Sequence, residues 1–287
     1  LNIKFLSAAA GFSILVASMS SSLAGQIGYL GPAGSWTHQA CLDLFGASEL
    51  VALSRDELFN GYKSGSLERA CVPVTTSVVG VTPYMDAVLD LPNVMIVGEY
   101  PKMLGYSLLA KPGTKLSDVK EVLAHPVAFE EVKPWLDREM PTVKRTEAAS
   151  GGAAAKTVAG SETTEKASFG PKVGASVYSL VSLVDGIEEG PHNVTRWWVL
   201  GRSMPAPSGK DKTSLMVDTS DDDFNAVLAA LVNAKIPVLT IYERPSKKTL
   251  DMHRYLIEVA GHAREEPLAS LLNANQRIRL LGSYPRK

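Results

Sequence analysis

Ile27-Gly28-Tyr29-Leu30-Gly31-Pro32-Ala33-Gly34-Ser35-Trp36-Thr37-His38-Gln39-Ala40 runs from an apolar, β-rich segment through a Gly/Pro turn into a stretch with helical spacing. Strand, tight turn and helix in that order open an α/β unit. Residues 28–34 do not follow the G-x-G-x-x-G spacing, so the turn is not the fingerprint of a dinucleotide cradle. Working outward, strands are expected over 26–30, 69–74, 94–100, 106–110 and 197–201, and helices over 36–45, 83–89, 129–138 and 152–159. Residues 168–181 read as a turn feeding another helix, with Gly170 and Pro171 at its entrance. This alternation over 26–202 predicts an α/β domain with mainly parallel strands.

A Pro-, Ser- and Gly-rich linker at 203–211 separates a second unit at 212–287. There the expected order is strand 213–218, helix 222–234, strands 238–243 and 255–260, helix 265–274 and strand 278–281, a ferredoxin-like βαββαβ layout. Asp221, Asp222 and Asp223 suit the start of its first helix, where free N–H groups and the macrodipole favour anions.

The first 24 residues differ from the rest: Lys4 is their only charge, 5–19 is apolar, and Ser22-Leu23-Ala24 puts small residues where a signal peptidase cuts. The apolar run is shorter than the roughly 20 residues of a spanning helix. The expectation is therefore a signal peptide at 1–24, an exported and periplasmic mature protein beginning near Gly25, and no membrane association after cleavage; a cytoplasmic chain follows if this segment is a mis-assigned start. Cys41 and Cys71 are too few for a disulfide scaffold and are expected as separate buried thiols. Twenty-nine Lys plus Arg against 30 Asp plus Glu leave a net charge of −1, which offers no general field for nucleic acid. Any anion must be caught locally.

Metal and nucleotide signatures are missing, so no cofactor or metal is expected. Ser117-Asp118-Val119-Lys120 fits Ser-x-x-Lys, but its companion elements are absent and a surface helix turn is the simpler reading.

Together with the opening segment, four further stretches resemble the prephenate dehydratase family over nearly all of the chain beyond residue 24. They are His125-Pro126 after a strand, Ala153-Ala154-Ala155-Lys156, Asn193-Val194-Thr195-Arg196-Trp197, and the C-terminal Glu243-Arg244-Pro245-Ser246 with Leu281-Gly282-Ser283-Tyr284-Pro285. The resemblance implies two α/β lobes around a cleft, similar to type II periplasmic binding proteins, followed by an ACT domain that assembles the chain into a homodimer or higher oligomer. It implies a small-molecule substrate, prephenate or L-arogenate. Thr195 is then the acid candidate, and Arg196, Thr76, Ser77, Gly80 and His125 are the substrate-binding candidates. A free Thr hydroxyl is a weak acid and serves only when held against the leaving oxygen and polarised by neighbouring donors, for which Arg196 is the expected one.

Several positions depart from the family pattern. Its Glu-Asn-Ser is here Thr75-Thr76-Ser77, and its Ser and Gln around the His-Pro pair are Ala124 and Glu131. An ionised carboxylate ~4 Å from a substrate carboxylate costs about 4 kcal/mol at an effective dielectric near 20. Glu131 is therefore expected to be turned away, to be a protonated second acid candidate, or to face a cation such as arogenate's ammonium. Decarboxylation without loss of the hydroxyl and ligand binding without catalysis remain open beside dehydration. In the C-terminal unit the family's Gly-Ala-Leu turn is Asp222-Asp223-Phe224 and its Glu-Ser-Arg-Pro is Tyr242-Glu243-Arg244-Pro245. Arg244, Glu243 and Asp222 are accordingly candidates for an altered effector site that phenylalanine fills poorly.

Overall fold

The computed structural model describes residues 25–47 and 49–287, and the expected signal segment at 1–24 lies outside them. The first lobe begins with β1 (Ile27–Leu30), α1 (Trp36–Phe45), β2 (Leu50–Leu53) and α2 (Arg55–Ser64), then continues through β3 (Arg69–Thr76), β4 (Gly80–Val81), α3 (Pro83–Leu89) and β5 (Ile96–Met103). Both early helices start on serine caps: Ser35 accepts from the His38 amide, and Ser54 forms a reciprocal capping box with Glu57. α2 stops where Gly65 takes a left-handed conformation. The second lobe holds β6 (Ser107–Ala110), β7 (Glu121–Ala124), α4 (Pro126–Glu139), β8 (Lys144–Glu147), α5 (Gly151–Ala159), β9 (Lys166–Gly170), α6 (Val173–Tyr178) and β10 (Val181–Asp185). The chain then returns to the first lobe as β11 (Val194–Leu200).

The first sheet runs β2-β1-β3-β11-β5 with β4 on the side of β3, and the second runs β10-β6-β9-β7-β8. The expectation of mainly parallel strands is corrected here. β1 pairs in parallel with β2 and β3, and β7 with β8 and β9, but β11 is antiparallel to both of its neighbours and β6 is antiparallel to β9 and β10. Where a turn into a helix was expected at 168–181, β9 lies in the middle of the sheet and α6 is only six residues long. Lys-Ala-Ser-Phe-Gly has little intrinsic strand preference, and pairing on both edges with Phe169 fully buried imposes the extended form. Polar β8, Lys-Arg-Thr-Glu, sits at the sheet edge and carries no apolar alternation to betray it. Cys41 and Cys71 are buried free thiols in one apolar cluster with Tyr29 and Val199.

The C-terminal unit has the expected βαββαβ order: β12 (Asp211–Ser220), α7 (Asp221–Asn233), β13 (Val238–Pro245), β14 (Met252–Ala260), α8 (Leu268–Ala274) and β15 (Arg279–Pro285), in an antiparallel sheet ordered β13-β14-β12-β15. Val227, Leu231, Leu268 and Leu271 of its helices close one face. The other face contributes Met216, Leu256, Leu281 and Tyr284 to the core of the first lobe, beside Val72, Ile96 and Trp198. Arg244 adds a bidentate bond to Asp86 of α3, both contacts at 2.7 Å.

Gly282 of β15 packs directly against the backbone of β5 in the first lobe. Its φ is +149°, and a Cβ there would overlap the Ile96 carbonyl. Gly282→Ala is expected to destabilise the chain by about 1–3 kcal/mol, since overpacked backbone must shift, and calorimetric melting checks this. An unchanged melting temperature would show that the interface yields freely.

Candidate active site

A cavity of about 490 Å³ opens between the two lobes. Thr76 and Thr195, which pair across β3 and β11, stand on its wall with Trp197. The starts of α1, α4 and α5 reach it from the sides, through Ser35 and Trp36, His125 and Val127, and Ser150 and Gly151. No Lys, Arg, Asp or Glu side chain is among its lining residues, which are largely aromatic and small. What charge the site offers an anion comes from helix N-termini, whose amides and dipoles favour negative groups.

The three termini differ in what they leave free. Ser35 takes the His38 amide and Ser150 takes the Ala153 amide, so the amides of Trp36 and Thr37, and of Gly151 and Gly152, have no acceptor among the described residues. α4 begins with Pro126, which has no N–H, and the Val127 and Ala128 amides are taken by the His125 ring and carbonyl. His125 is its polar contribution. The ring Nδ1 accepts from Val127 at 3.3 Å, and burial lowers the pKa against the pull of Glu147, so the neutral ring presents Nε2–H as a donor. The buried indole N–H of Trp36 also lacks an acceptor among the described residues. α5 is seated hard on the β1–α1 turn: a Cβ on Gly152 would lie 2.7 Å from the Ala33 carbonyl oxygen.

Thr195 is 5 % exposed and its Oγ1 donates to Asn193 Oδ1 at a long 3.4 Å. Thr76 accepts the Val79 amide at 2.9 Å, leaving its hydroxyl proton for a ligand. The cavity thus gathers three of the expected residues, Thr195, Thr76 and His125, and it leaves others out. Ser77 ties the start of β11 to β3, donating to the His192 carbonyl and accepting the Val194 amide. Gly80, at φ +84°, lies on the exposed β4 edge. Glu131 is fully buried behind the wall and does not line the cavity. Sequence reasoning quoted Asn193 and Trp197 with Thr195 but gave them no role, and it did not single out Tyr106 or the free helix amides, which had a signal in the serines that precede α1 and α5.

Arg196 requires the clearest correction, because it does not face the cleft with Thr195. β11 already begins at Val194, not at 197, and successive strand residues point to opposite faces. Arg196 therefore projects toward the C-terminal unit, where its guanidinium lies 2.7 Å from Glu258 and 3.3 Å from Glu99, and Lys212 binds Glu99 at 2.8 Å. All four side chains are at least nearly nine-tenths buried. The expected effector residues are also dispersed: Arg244 is on Asp86, Glu243 is on His253, and Asp222 is exposed.

Residues 27–205 match the family model described as prephenate dehydratase. The chain is 31% identical over 276 residues to a prephenate dehydratase of Corynebacterium glutamicum, covering 90% of this chain and 87% of that one. Among solved structures, the prephenate dehydratase of Arthrobacter aurescens in complex with L-Phe superposes with a TM-score of 0.81 at 25% identity, over 91% and 90% of the two chains. A quorum-quenching acylase, GqqA, shares the fold with a TM-score of 0.83 at 22% identity, over 91% and 98%.

Removing Arg196 strands a buried carboxylate, so Arg196→Met is expected to cost about 3–5 kcal/mol in chemical denaturation. Arg196→Met combined with Glu258→Gln should recover part of that loss. Anion affinity of the cavity should stay unchanged in both variants; a selective loss of affinity at full stability would return Arg196 to the cleft.

Proposed function

Since the chain belongs to the prephenate dehydratase family, we propose that it converts prephenate to phenylpyruvate, water and carbon dioxide in the cavity between its lobes. The observation that carries this reading is a cavity with free helix amides, a hydroxyl donor and aromatic walls, but no charged side chain. In the reaction the ring carboxylate leaves as carbon dioxide. Its C–C bonding pair becomes ring π density while the C–O bond breaks, and the departing hydroxide takes a proton.

Each part of the cavity meets one of those demands. The amides of Trp36, Thr37, Gly151 and Gly152 can hold the side-chain carboxylate that survives. A cation on the other carboxylate would stabilise the ground state and oppose its loss, and none lines the cavity. Thr195 can donate toward the leaving oxygen, with Asn193 as its neighbour in place of Arg196. Trp36, Phe169 and Trp197 suit a ring that becomes flat and aromatic. Arogenate fits less well, because its ammonium would find no carboxylate on the wall.

The C-terminal βαββαβ unit is read as an ACT domain through which copies of the chain associate, and export rests on the apolar run at 5–19 with Ser22 and Ala24. Around the start of α7 a cavity of about 410 Å³ is lined by Asp218, Asp223, Arg277 and Arg279, and Asp223 already pairs with Arg277. Phenylalanine is therefore expected to bind poorly. Calorimetry should find no micromolar affinity, and micromolar binding or inhibition would refute this.

For catalysis, phenylpyruvate should accumulate when the chain beginning near Gly25 is incubated with prephenate. Thr195→Ala should lower kcat by roughly 10²-fold or more with little change in KM, and Thr195→Ser should keep part of the rate. Tight binding without turnover at high protein concentration would make this a binding protein instead.

A further inference from the structure

Behind the cavity wall Glu131 is fully buried on α4, and neither carboxylate oxygen has a hydrogen-bond partner in good geometry among the described residues. The residue is clamped there from the opposite side. The Glu189 and Gly190 amides donate to its carbonyl at 3.0 and 2.8 Å, and a Cβ on Gly190 would lie 2.9 Å from the Glu131 Cα. The groups facing it are Tyr106, Glu188, His192 and Asn193. No Lys or Arg pairs with it among the described residues, and Glu188 adds a second carboxylate that already accepts the Tyr106 amide at 2.7 Å.

Placed in such surroundings, an ionised carboxylate has no counter-ion to offset its lost hydration. A neutral carboxylic acid has both a donor and an acceptor to offer. Its neighbour Asn193 accepts the Thr195 hydroxyl at Oδ1 and lies beside the Tyr106 phenol. We propose that Glu131 is a positioning residue, a neutral carboxylic acid that fixes Asn193 and thereby aims the Thr195 hydroxyl into the cavity. It does not reach the substrate and is not the proton donor. The proposal rests on the dehydratase reading for its effect on rate, and its protonation and its hold on Asn193 can be tested without that reading. Burial, opposed by the Asn193 amide and His192, raises the Glu131 pKa, the direction that favours the neutral acid.

Three variants and three readouts decide it. Glu131→Gln keeps donor and acceptor, so kcat should stay within about threefold of wild type; Glu131→Leu removes both and should lower kcat about tenfold or more with KM little changed. Wild-type kcat should fall as pH rises through the Glu131 pKa, because deprotonation places a bare charge beside Asn193, and Glu131→Gln should lack that fall. Thr195→Ala sets the scale for loss of the donor itself. Independently of prephenate, infrared difference spectra should show a protonated-carboxyl C=O band in wild type that is absent from Glu131→Gln. The Asn193 side-chain amide resonances should move in Glu131→Leu but not in Glu131→Gln. A collapse of Glu131→Gln to the level of Thr195→Ala, full activity in folded Glu131→Leu, or no protonated-carboxyl band would each overturn the proposal. Absence of turnover in wild type with both spectroscopic results intact would overturn the dehydratase reading alone.

Discussion

A β-strand turns successive side chains to opposite faces, and β11 uses that constraint twice. Thr195 and Trp197 face the cavity, the indole of Trp197 donating to Thr37 at 3.0 Å, while Arg196 and Trp198 face the C-terminal unit. One seven-residue strand therefore connects the Thr195 hydroxyl in the cavity wall to a buried ionic cluster contributed by both domains. The antiparallel return of β11 between β3 and β5 makes this possible, since it brings Thr195 opposite Thr76 and leaves Arg196 within reach of Glu99 and Glu258.

The electrostatic design of the cavity follows from placing cations elsewhere. Arg196, Lys212 and Arg244 all answer carboxylates at the domain interface. The cavity is lined instead by the starts of three helices and by His125, whose pKa burial lowers. Fixed dipoles hold an anion without surrounding it with mobile counter-charge, and they need no reorganisation as charge is lost. In the proposed dehydration such a site would bind one carboxylate and leave the second without a counter-ion, the asymmetry a decarboxylating elimination needs.

Much of this was legible in the residues themselves. The opening strand, turn and helix and the order of the C-terminal elements follow from periodicity, Gly/Pro punctuation and cap residues, all local signals. β8 and β9 were not, because a polar edge strand and a Ser/Gly-containing central strand take their form from tertiary pairing. At the site, Thr195, Thr76 and His125 came from recognisable segments. Arg196 was misplaced because starting the strand three residues late made Thr195 and Arg196 loop neighbours instead of residues on opposite faces. Glu131 is turned away from the cleft, the first of the positions expected for it, for a helical reason: six residues at about 100° each turn it roughly 240° away from the cap position of His125. Asn193 had no signal of its own, since its role depends on which side chains lie beside it.

The central claim is that helix amides, not cationic side chains, hold the anion. Titrating isotopically labelled protein with phenylpyruvate and following backbone amide resonances tests it most directly. The account predicts that the largest shifts fall on Trp36, Thr37, Gly151 and Gly152, with the Arg196, Lys212 and Arg244 side chains unmoved. Shifts confined to the C-terminal unit, or to arginine and lysine side chains while those four amides stay still, would contradict it.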